Sequence, residues 1–274
     1  IARDALVPFV SDDVDVRSVS LAELAGVFAG EIDDWSALGG RPGPIRPMLA
    51  ASARDDLDAM LFADSGRQLG PTVEIVAPDD ALAATLAGMD GALALGSFRT
   101  GGDSARLGIS GSCGLTSHAD AFSIAAGQYP LTRFVVATAR GDLGSLGLGL
   151  FGHAETAAAQ AALARLDLVS QEVRVAPPAR RADWLGNALK FAELAELSNQ
   201  AGASRAALED LIERLAEAEQ LSTVFRFVFD GTGVDAAARG DFARLADMLA
   251  TGRFDGRTVV FAGFSDTAGG DAGQ

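Results

Sequence analysis

The chain has 274 residues, and its 37 acidic against 22 basic residues give a formal net charge of −15. That length exceeds one typical domain, so one large or two smaller domains are expected. Since Lys190 is the one lysine, the chain lacks the basic surface that binds a phosphate backbone, and nucleic acid is not an expected partner. A cation that holds an anion is expected to be an arginine, whose planar fork fits carboxylate and phosphate oxygens.

Membrane and export signals are missing from the sequence as it stands. No apolar run approaches the roughly 18 residues of a membrane-spanning helix. The first residues, IARDALVPFV, lack the basic start and the cleavage site of a signal peptide. A soluble chain is expected, and if the protein is exported, its export signal is expected to have been removed already. Cys113, the one cysteine, does not decide the compartment, and in an exported protein its partner would lie outside this chain.

The first clear helix signal is SVSLAELAGVFAG, residues 18–30. Ser20 followed by Glu23 three residues later is a capping box, and Gly30 is placed to end the helix. The apolar residues between them recur at helical spacing. The segment therefore predicts a capped amphipathic helix.

The segment SARDDLDAMLFAD, residues 52–64, repeats this pattern. Ser52 is expected to be the N-cap, and Leu57, Met60 and Leu61 are expected to face the core.

Strand and helix patterns then alternate along the chain. A helix is expected from residue 79, followed by a strand around Ala92–Leu95, a strand at 131–139 and an alanine-rich helix at 154–166. Mixed elements of this kind predict an α/β domain.

A boundary is expected at Pro177-Pro178 and Arg180-Arg181, because proline disfavours helix in the residue before it. Two helical patterns follow, at about 182–199 and 204–220. Residues 177–220 are therefore predicted to form a helical connector.

The last segment predicts a β-α-β unit within residues 221–274. STVFRFVFD (222–230) and RTVVFAGF (257–264) read as strands, and 235–250 reads as a helix that ends before Gly252. Two sets of residues are expected to share a face, Phe225, Phe227 and Phe229 on the first strand, and Phe242, Leu245, Ala246 and Leu249 on the helix.

Enzymatic signals are weak. Gly147, Gly149 and Gly152 fit G-x-G-x-x-G, but about seven residues separate them from the preceding strand, whereas a dinucleotide turn follows its strand directly. They are interpreted as a glycine-rich entry into an apolar helix. His118 and His153 accompany neither a G-x-S-x-G nucleophile motif nor a metal-ligand pattern. The chain is therefore predicted to be no enzyme and to hold no cofactor.

An anion site is the stronger candidate. Ser52, Ala53 and Arg54 open a helix, where free N–H groups and the helix dipole favour a negative charge. A hydroxyl and a guanidinium beside those amides would clamp an oxyanion. The alternative is a plain N-cap next to a surface arginine.

Several segments together resemble the phosphate-type periplasmic substrate-binding proteins of ABC transporters. They are SVSLAELAGVFAGEIDDWSALGG, GPIRPM, GALALGSF, FSIAAGQYPLTRFVVATAR and ETAAAQAALARLDLVSQEV. The family pattern F-x-G-x-I-x-x-W is matched by Phe28, Gly30, Ile32 and Trp35, and Y-P-L-[ST]-R by Tyr129 through Arg133. The resemblance covers residues 1–176 and implies a type II periplasmic-binding-protein fold.

This resemblance implies capture of phosphate or a similar small anion, in the periplasm, for a transporter membrane component. Two departures qualify it. IARDALVPFV resembles the strand that crosses into the second lobe, so half of the cleft is expected to lie outside this chain. The family's G-S-G-T-[RS] loop is replaced here by Ala50-Ala51-Ser52-Ala53-Arg54, and the changed loop favours the alternative of a cell-envelope interaction protein whose binding-protein fold has lost its ligand.

Residues 221–274 resemble the OmpA-like peptidoglycan-binding domain. FRFVFDGTGVDAAARGDFARLADML and VVFAGFSDTAGGDAGQ follow its strand, turn, helix and G-[HF]-[ST]-D-x-x-G loop. The resemblance implies that Asp266 binds the ammonium of diaminopimelate, that Gln274 stands where the family commonly has asparagine, and that the arginine for the carboxylate lies beyond the chain end. Both ends of the chain are thus expected to cut through domains, and the whole is expected to be periplasmic, with cell-wall or outer-membrane association.

Overall fold

The computed structural model divides the chain into two compact units, unit 1 (Ile1–Gln171) and unit 2 (Glu172–Gln274). The structure describes residues 1–63, 65–111, 116–141, 143–178, 210, 213–215, 217–225 and 236–261. Within these residues no helix is long and apolar enough to span a membrane.

Unit 1 is built on a mixed six-stranded sheet. Its strands are β1 (Ala2–Val10), β3 (Arg46–Ala50), β4 (Glu74–Val76), β5 (Ala92–Ser97), β6 (Ala105–Arg106) and β9 (Thr132–Val135). Their order is β4-β3-β5-β1-β6, and β9 also pairs with β1. β3 runs parallel to β4 and β5, whereas β1 runs antiparallel to β5, β6 and β9. The first residue of β1 therefore lies at the same edge of the sheet as the last residues of β3 and β5.

The remaining elements in the described part of unit 1 are a second, smaller sheet, six α-helices and short 3-10 turns. A small sheet consists of β2 (Ser18–Ser20), β7 (Gly108–Ser110) and β8 (Thr116–Ser117) in the order β2-β7-β8. The helices are α1 (Leu21–Ala29), α2 (Arg54–Met60), α3 (Leu82–Ala87), α4 (Ala121–Ala125), α5 (Gly144–Ala154) and α6 (Ala157–Ala164). Turns of 3-10 helix lie at Trp35–Leu38, Ala51–Ala53 and Asp79–Ala81. The α/β class expected from the sequence is confirmed.

The core of unit 1 centres on β1 and β5, whose residues are almost all buried. Such continuous burial is typical of strands that are covered on both faces. Asp4 is a carboxylate among the buried residues of β1 and is only 4% exposed.

The capping box predicted for the first helix is confirmed. The Ser20 hydroxyl accepts from the Glu23 N–H at 3.1 Å, and the Glu23 carboxylate accepts from the Ser20 N–H at 2.7 Å. Gly30 ends α1 with φ of 78°, a left-handed conformation that glycine adopts without steric cost.

The prediction that Ser52 caps the second helix is wrong. Ser52 lies inside the 3-10 turn, and α2 begins after Ala53, which makes no side-chain cap hydrogen bond. A cap hydroxyl must accept from the first helical N–H groups, whereas the Ser52 hydroxyl donates to the carboxylate of Asp79. The inward face is correct, since Leu57 and Leu61 are buried and Met60 packs against the core.

The predicted strand at 131–139 is shorter in the structure, where β9 ends at Val135. The alanine-rich helix is confirmed as α6. The glycine-rich segment before it is itself helical, because Gly147, Gly149 and Gly152 all lie within α5. A glycine turn at the end of a strand is what binds a pyrophosphate, so the helical segment agrees with the exclusion of a dinucleotide site.

Unit 2 contains β10 (Val175–Ala176), which pairs antiparallel with β11 (Gln220–Leu221), and the helix α7 (Ala236–Ala250). The helix predicted at 235–250 is therefore confirmed. Of its expected inward residues, Leu245 is buried, but Phe242 and Ala246 are exposed. The Phe242 ring stacks on Phe225 with 3.8 Å between the ring centroids.

The strand predicted at 257–264 is wrong for its described part, residues 257–261, which is not a strand. Val259, Val260 and Phe261 are exposed there. A strand needs a hydrogen-bonded neighbour, and none of the described residues pairs with 257–261.

Several other predictions fall largely outside the described residues. The first connector helix, 182–199, lies wholly outside them, and the second is described only at 210, 213–215 and 217–220, of which 210 and 213–215 are helical. Of the strand predicted at 222–230, residues 222–225 are described and are not a strand.

Candidate functional site

The candidate site lies at the edge of the main sheet where β3 and β5 end. Parallel strands present their carboxyl ends to the same edge, which is the usual ligand position in open α/β sheets. Ser52 and Arg54 follow β3, Ser97 ends β5, and Asp79 follows β4. Because β1 runs the other way, Asp4 reaches the same edge. The topology therefore gathers polar residues from four strands.

Asp4 is the buried centre of this edge. Its carboxylate accepts from the Ser97 hydroxyl at 2.7 and 2.9 Å, from the Ala5 N–H at 2.8 Å and from the Phe98 N–H at 3.2 Å. It also accepts from two nitrogens of Arg133, at 2.7 and 3.2 Å. A buried carboxylate is tolerated when its oxygens are satisfied in this way, so Asp4 is a fixed negative anchor.

Arg133 connects three elements at this edge. Its guanidinium pairs with Asp4 on β1 and with Asp56 on α2 while it projects from β9. The side chain is 24% exposed, so it is partly shielded from water yet reachable. Its planar fork is suited to two oxyanion groups at once, and both positions are filled by carboxylates of the protein itself.

The residues proposed as the anion site, Ser52, Ala53 and Arg54, all lie at this edge. Ala53 is fully buried. The Ser52 N–H donates to Asp79 at 3.2 Å and the Ser52 hydroxyl donates to the other oxygen of the same carboxylate. The guanidinium of Arg54 pairs with Asp58 at 3.1 Å, one turn along α2. Both charged side chains of that pair are about half exposed.

Carboxylates dominate the charge at this edge. The negative residues include Asp4, Asp55, Asp56, Asp58, Asp79 and Asp80, and the positive ones include Arg3, Arg54, Arg99 and Arg133. The helix α2 has only seven residues, with Asp55 and Asp56 in its first turn. Acidic groups in a first helical turn already use the favourable interaction with the helix dipole. An anion that binds Arg54 or Arg133 would therefore have to replace a carboxylate of the protein.

Arg133 is the last residue of the Y-P-L-T-R pattern, and the sequence alone does not assign it to the site. The available signal was the scarcity of lysine, which leaves arginine as the anion-binding cation. Asp4 and Asp79 were missed as well, because each meets its partner across a long sequence separation.

Trp35 and Tyr129, the aromatic residues of the two family patterns, make hydrogen bonds that stabilise the fold. Trp35 donates through Nε1 to the Gly91 carbonyl at 3.1 Å, and Tyr129 donates its hydroxyl to the Leu6 carbonyl at 3.2 Å. Both residues are buried, and burial raises the pKa of Tyr129 far above its ordinary value. The first contact joins the 3-10 turn at Trp35 to the residue before β5, and the second joins Tyr129 to β1.

A cavity of about 400 Å³ lies at the opposite edge of the sheet, where β3 begins. Its lining includes Trp35, Arg46, Asp90 and Gly91, and none of the predicted anion-site residues. Among the described residues, no group of histidine, cysteine and carboxylate side chains could hold a metal ion.

The other predicted site residues lie outside the described part of the chain. These are Asp266 and Gln274, and Cys113 is outside it as well.

Comparison with known proteins gives a result for structure alone. No protein-family model matches the chain, and no curated protein matches it in sequence. The solved structure of an ABC-type phosphate transport receptor from Vibrio cholerae aligns with a TM-score of 0.54 and 15% identity, over 61% of this chain and 70% of that one.

Two further solved structures agree with this result. A putative phosphate ABC transporter substrate-binding protein with bound phosphate, from Clostridium perfringens, aligns with a TM-score of 0.52 and 18% identity, over 62% of this chain and 69% of that chain. A possible phosphate binding protein from Planctomyces limnophilus aligns with a TM-score of 0.51 and 16% identity, over 62% and 65%. The predicted resemblance to phosphate-type substrate-binding proteins is thus confirmed at the level of the fold.

Proposed function

We propose that unit 1 is a solute-binding module that captures a small oxyanion such as phosphate without covalent chemistry, in the periplasm and in association with an ABC transporter. The observation that carries this proposal is Arg133, a partly buried guanidinium at the carboxyl edge of the sheet that already holds two carboxylates. The fold, shared with phosphate receptors, supports the same class of ligand.

Binding would proceed by exchange of ion-pair partners. Asp4 is buried and keeps Arg133 in place, whereas Asp56, at 28% side-chain exposure, can turn towards water. An oxyanion could then take the position of the Asp56 carboxylate on Arg133. The pair between Arg54 and Asp58 is exposed and contributes less than about 1 kcal/mol, so it breaks readily. Arg54 can then supply a second cation to the anion.

Calorimetry with inorganic phosphate tests this proposal on the full chain. Arg54→Ala is expected to weaken phosphate binding by roughly three- to tenfold, since one charge-assisted contact is lost. Arg46→Ala is the matched control, because it removes the same charge at the opposite edge of the sheet and is expected to leave binding unchanged. Equal weakening by both variants would show that the effect comes from the overall charge of the chain and not from a contact of Arg54. Absence of phosphate binding by the unaltered chain would refute the proposal.

A second function is favoured by the internal pairing at the site. Ser52, Arg54 and Arg133 each contact a carboxylate of the protein. Under this alternative, unit 1 keeps the binding-protein fold, has lost its ligand and serves as an interaction module of the cell envelope. Calorimetry with phosphate and sulfate would then show no binding for the unaltered chain or for Asp56→Asn, which releases Arg133 from one carboxylate.

The envelope attachment is proposed for residues 221–274, where Asp266 would bind the ammonium of diaminopimelate in peptidoglycan and Gln274 would lie beside it. Support comes from the motif and from the helix α7 at its expected position. Co-sedimentation with peptidoglycan sacculi is expected to weaken in Asp266→Ala. Asp247→Ala, an exposed change of the same charge on α7, should sediment as the unaltered chain does. If both variants sediment fully, the anchor is refuted.

A further inference from the structure

The contact between Ser52 and Asp79 joins two neighbouring parallel strands at the proposed site. Ser52 follows β3, and Asp79 opens the 3-10 turn (Asp79–Ala81) that follows β4. The register of β3 with β4 pairs Ala50 with Val76, which brings the residues just beyond these strands together. The contact is therefore set by the sheet and not by the local sequence, since 27 positions separate the two residues.

The geometry of the contact is that of a bound oxyanion. One oxygen of the Asp79 carboxylate accepts from the Ser52 N–H at 3.2 Å, and the other oxygen accepts from the Ser52 hydroxyl. A main-chain N–H and a hydroxyl that converge on two oxygens of one group are the donors that an oxyanion would use. While Asp79 occupies them, they are not available to a ligand.

We infer that Asp79 is an internal competitor for the oxyanion position at Ser52, so that the chain binds its anion only when this carboxylate turns away. This inference rests on the proposed function of unit 1, and it adds an autoinhibitory contact to that site. Asp79 is partly exposed, so its carboxylate can be hydrated after it leaves Ser52, and the contact is reversible. The apparent affinity for the anion is reduced by the fraction of molecules in which Ser52 is free.

Phosphate calorimetry on three variants of the full chain tests the inference. Asp79→Ala is expected to bind inorganic phosphate about tenfold more tightly than the unaltered chain, which corresponds to Ser52 being occupied about nine-tenths of the time. Asp80→Ala is the matched control, because it removes a neighbouring exposed carboxylate that makes no contact with Ser52 in the structure. The double variant Ser52→Ala/Asp79→Ala should lose the gain. Asp79→Asn, which keeps the side-chain shape, replaces Asp79→Ala if the latter does not fold.

The outcomes separate this inference from the proposed function. A gain in Asp79→Ala alone, over measurable binding by the unaltered chain, supports the inference. Equal gains in Asp79→Ala and Asp80→Ala overturn it, because the effect is then general electrostatics. Phosphate binding that is the same in the unaltered chain and in Asp79→Ala overturns it as well and leaves the proposed function standing. Absence of binding in every variant overturns both.

Discussion

Replacement of Asp4 by alanine is the sharpest test of how the carboxyl edge is held together. The change removes a carboxylate that is 4% exposed and accepts from Arg133, Ser97 and two main-chain N–H groups. Loss of one partner of a buried ion pair costs about 3–5 kcal/mol. Arg133 keeps Asp56, and the Phe98 N–H keeps its 2.9 Å bond to a main-chain carbonyl. We therefore expect the free energy of unfolding to fall by about 3 kcal/mol, at the lower end of that range.

Urea unfolding followed by tryptophan fluorescence measures this change. The chain has two tryptophans, so a Trp184→Phe background leaves Trp35, which is buried in unit 1, as the reporter. Asp58→Ala is the control, because its pair with Arg54 is exposed and should contribute only about 0.5 kcal/mol.

The reasoning is refuted if Asp4→Ala lowers the unfolding free energy by no more than the Asp58→Ala control. Asp4→Asn adds a second comparison, because it keeps the side-chain shape and removes the charge. A smaller loss than in Asp4→Ala is expected, since the amide oxygen still accepts from Ser97.

Three further predictions concern the stability of unit 1. Gly91→Ala should lower the unfolding free energy by about 2 kcal/mol or more, because φ is +68° and the new Cβ would lie 2.7 Å from a carbonyl oxygen; an unchanged urea midpoint would contradict this. Tyr129→Phe should cost about 1 kcal/mol in the same assay, since a buried hydroxyl loses its 3.2 Å bond, and a loss above about 3 kcal/mol would exceed one hydrogen bond. The hydrogen bond from Arg67 lowers the pKa of Glu31 in the folded state. The Arg67–Glu31 pair therefore stabilises the folded state above the unfolded pKa of glutamate, about 4.3, and this stabilisation is lost as the pH falls through the lower pKa of folded Glu31. Arg67→Ala should therefore be less stable than the unaltered chain at pH 7 and equally stable in strong acid, as thermal unfolding across that pH range can measure.

The sequence places the candidate anion residues at a helix start after a strand, but it does not show which side chains they contact. Ser52, Ala53 and Arg54 do lie where β3 ends, as a helix start after a strand requires. Their partners Asp79 and Asp58 change what these residues offer to an anion. The sequence leaves an open clamp and a plain N-cap beside a surface arginine as alternatives, whereas in the structure Ser52 and Arg54 donate to Asp79 and Asp58.

Features that depend on a few neighbouring residues could be predicted from the sequence. The cap formed by Ser20 and Glu23, the end of α1 at Gly30 and the helix α7 all follow from contacts within one or two helical turns. Such signals survive in almost any tertiary context, because their hydrogen bonds are made inside the segment itself.

The candidate site depends on contacts between residues that lie far apart in the sequence. Arg133 meets Asp4 across 129 positions, and Ser52 meets Asp79 across 27, because the order and register of the strands bring their ends to one edge. Local periodicity records which face of an element is buried, but it does not record which strand lies beside it. The same reason explains why residues 257–261 do not form the strand predicted there. The segment is apolar enough for a strand, but no described strand lies beside it to pair with.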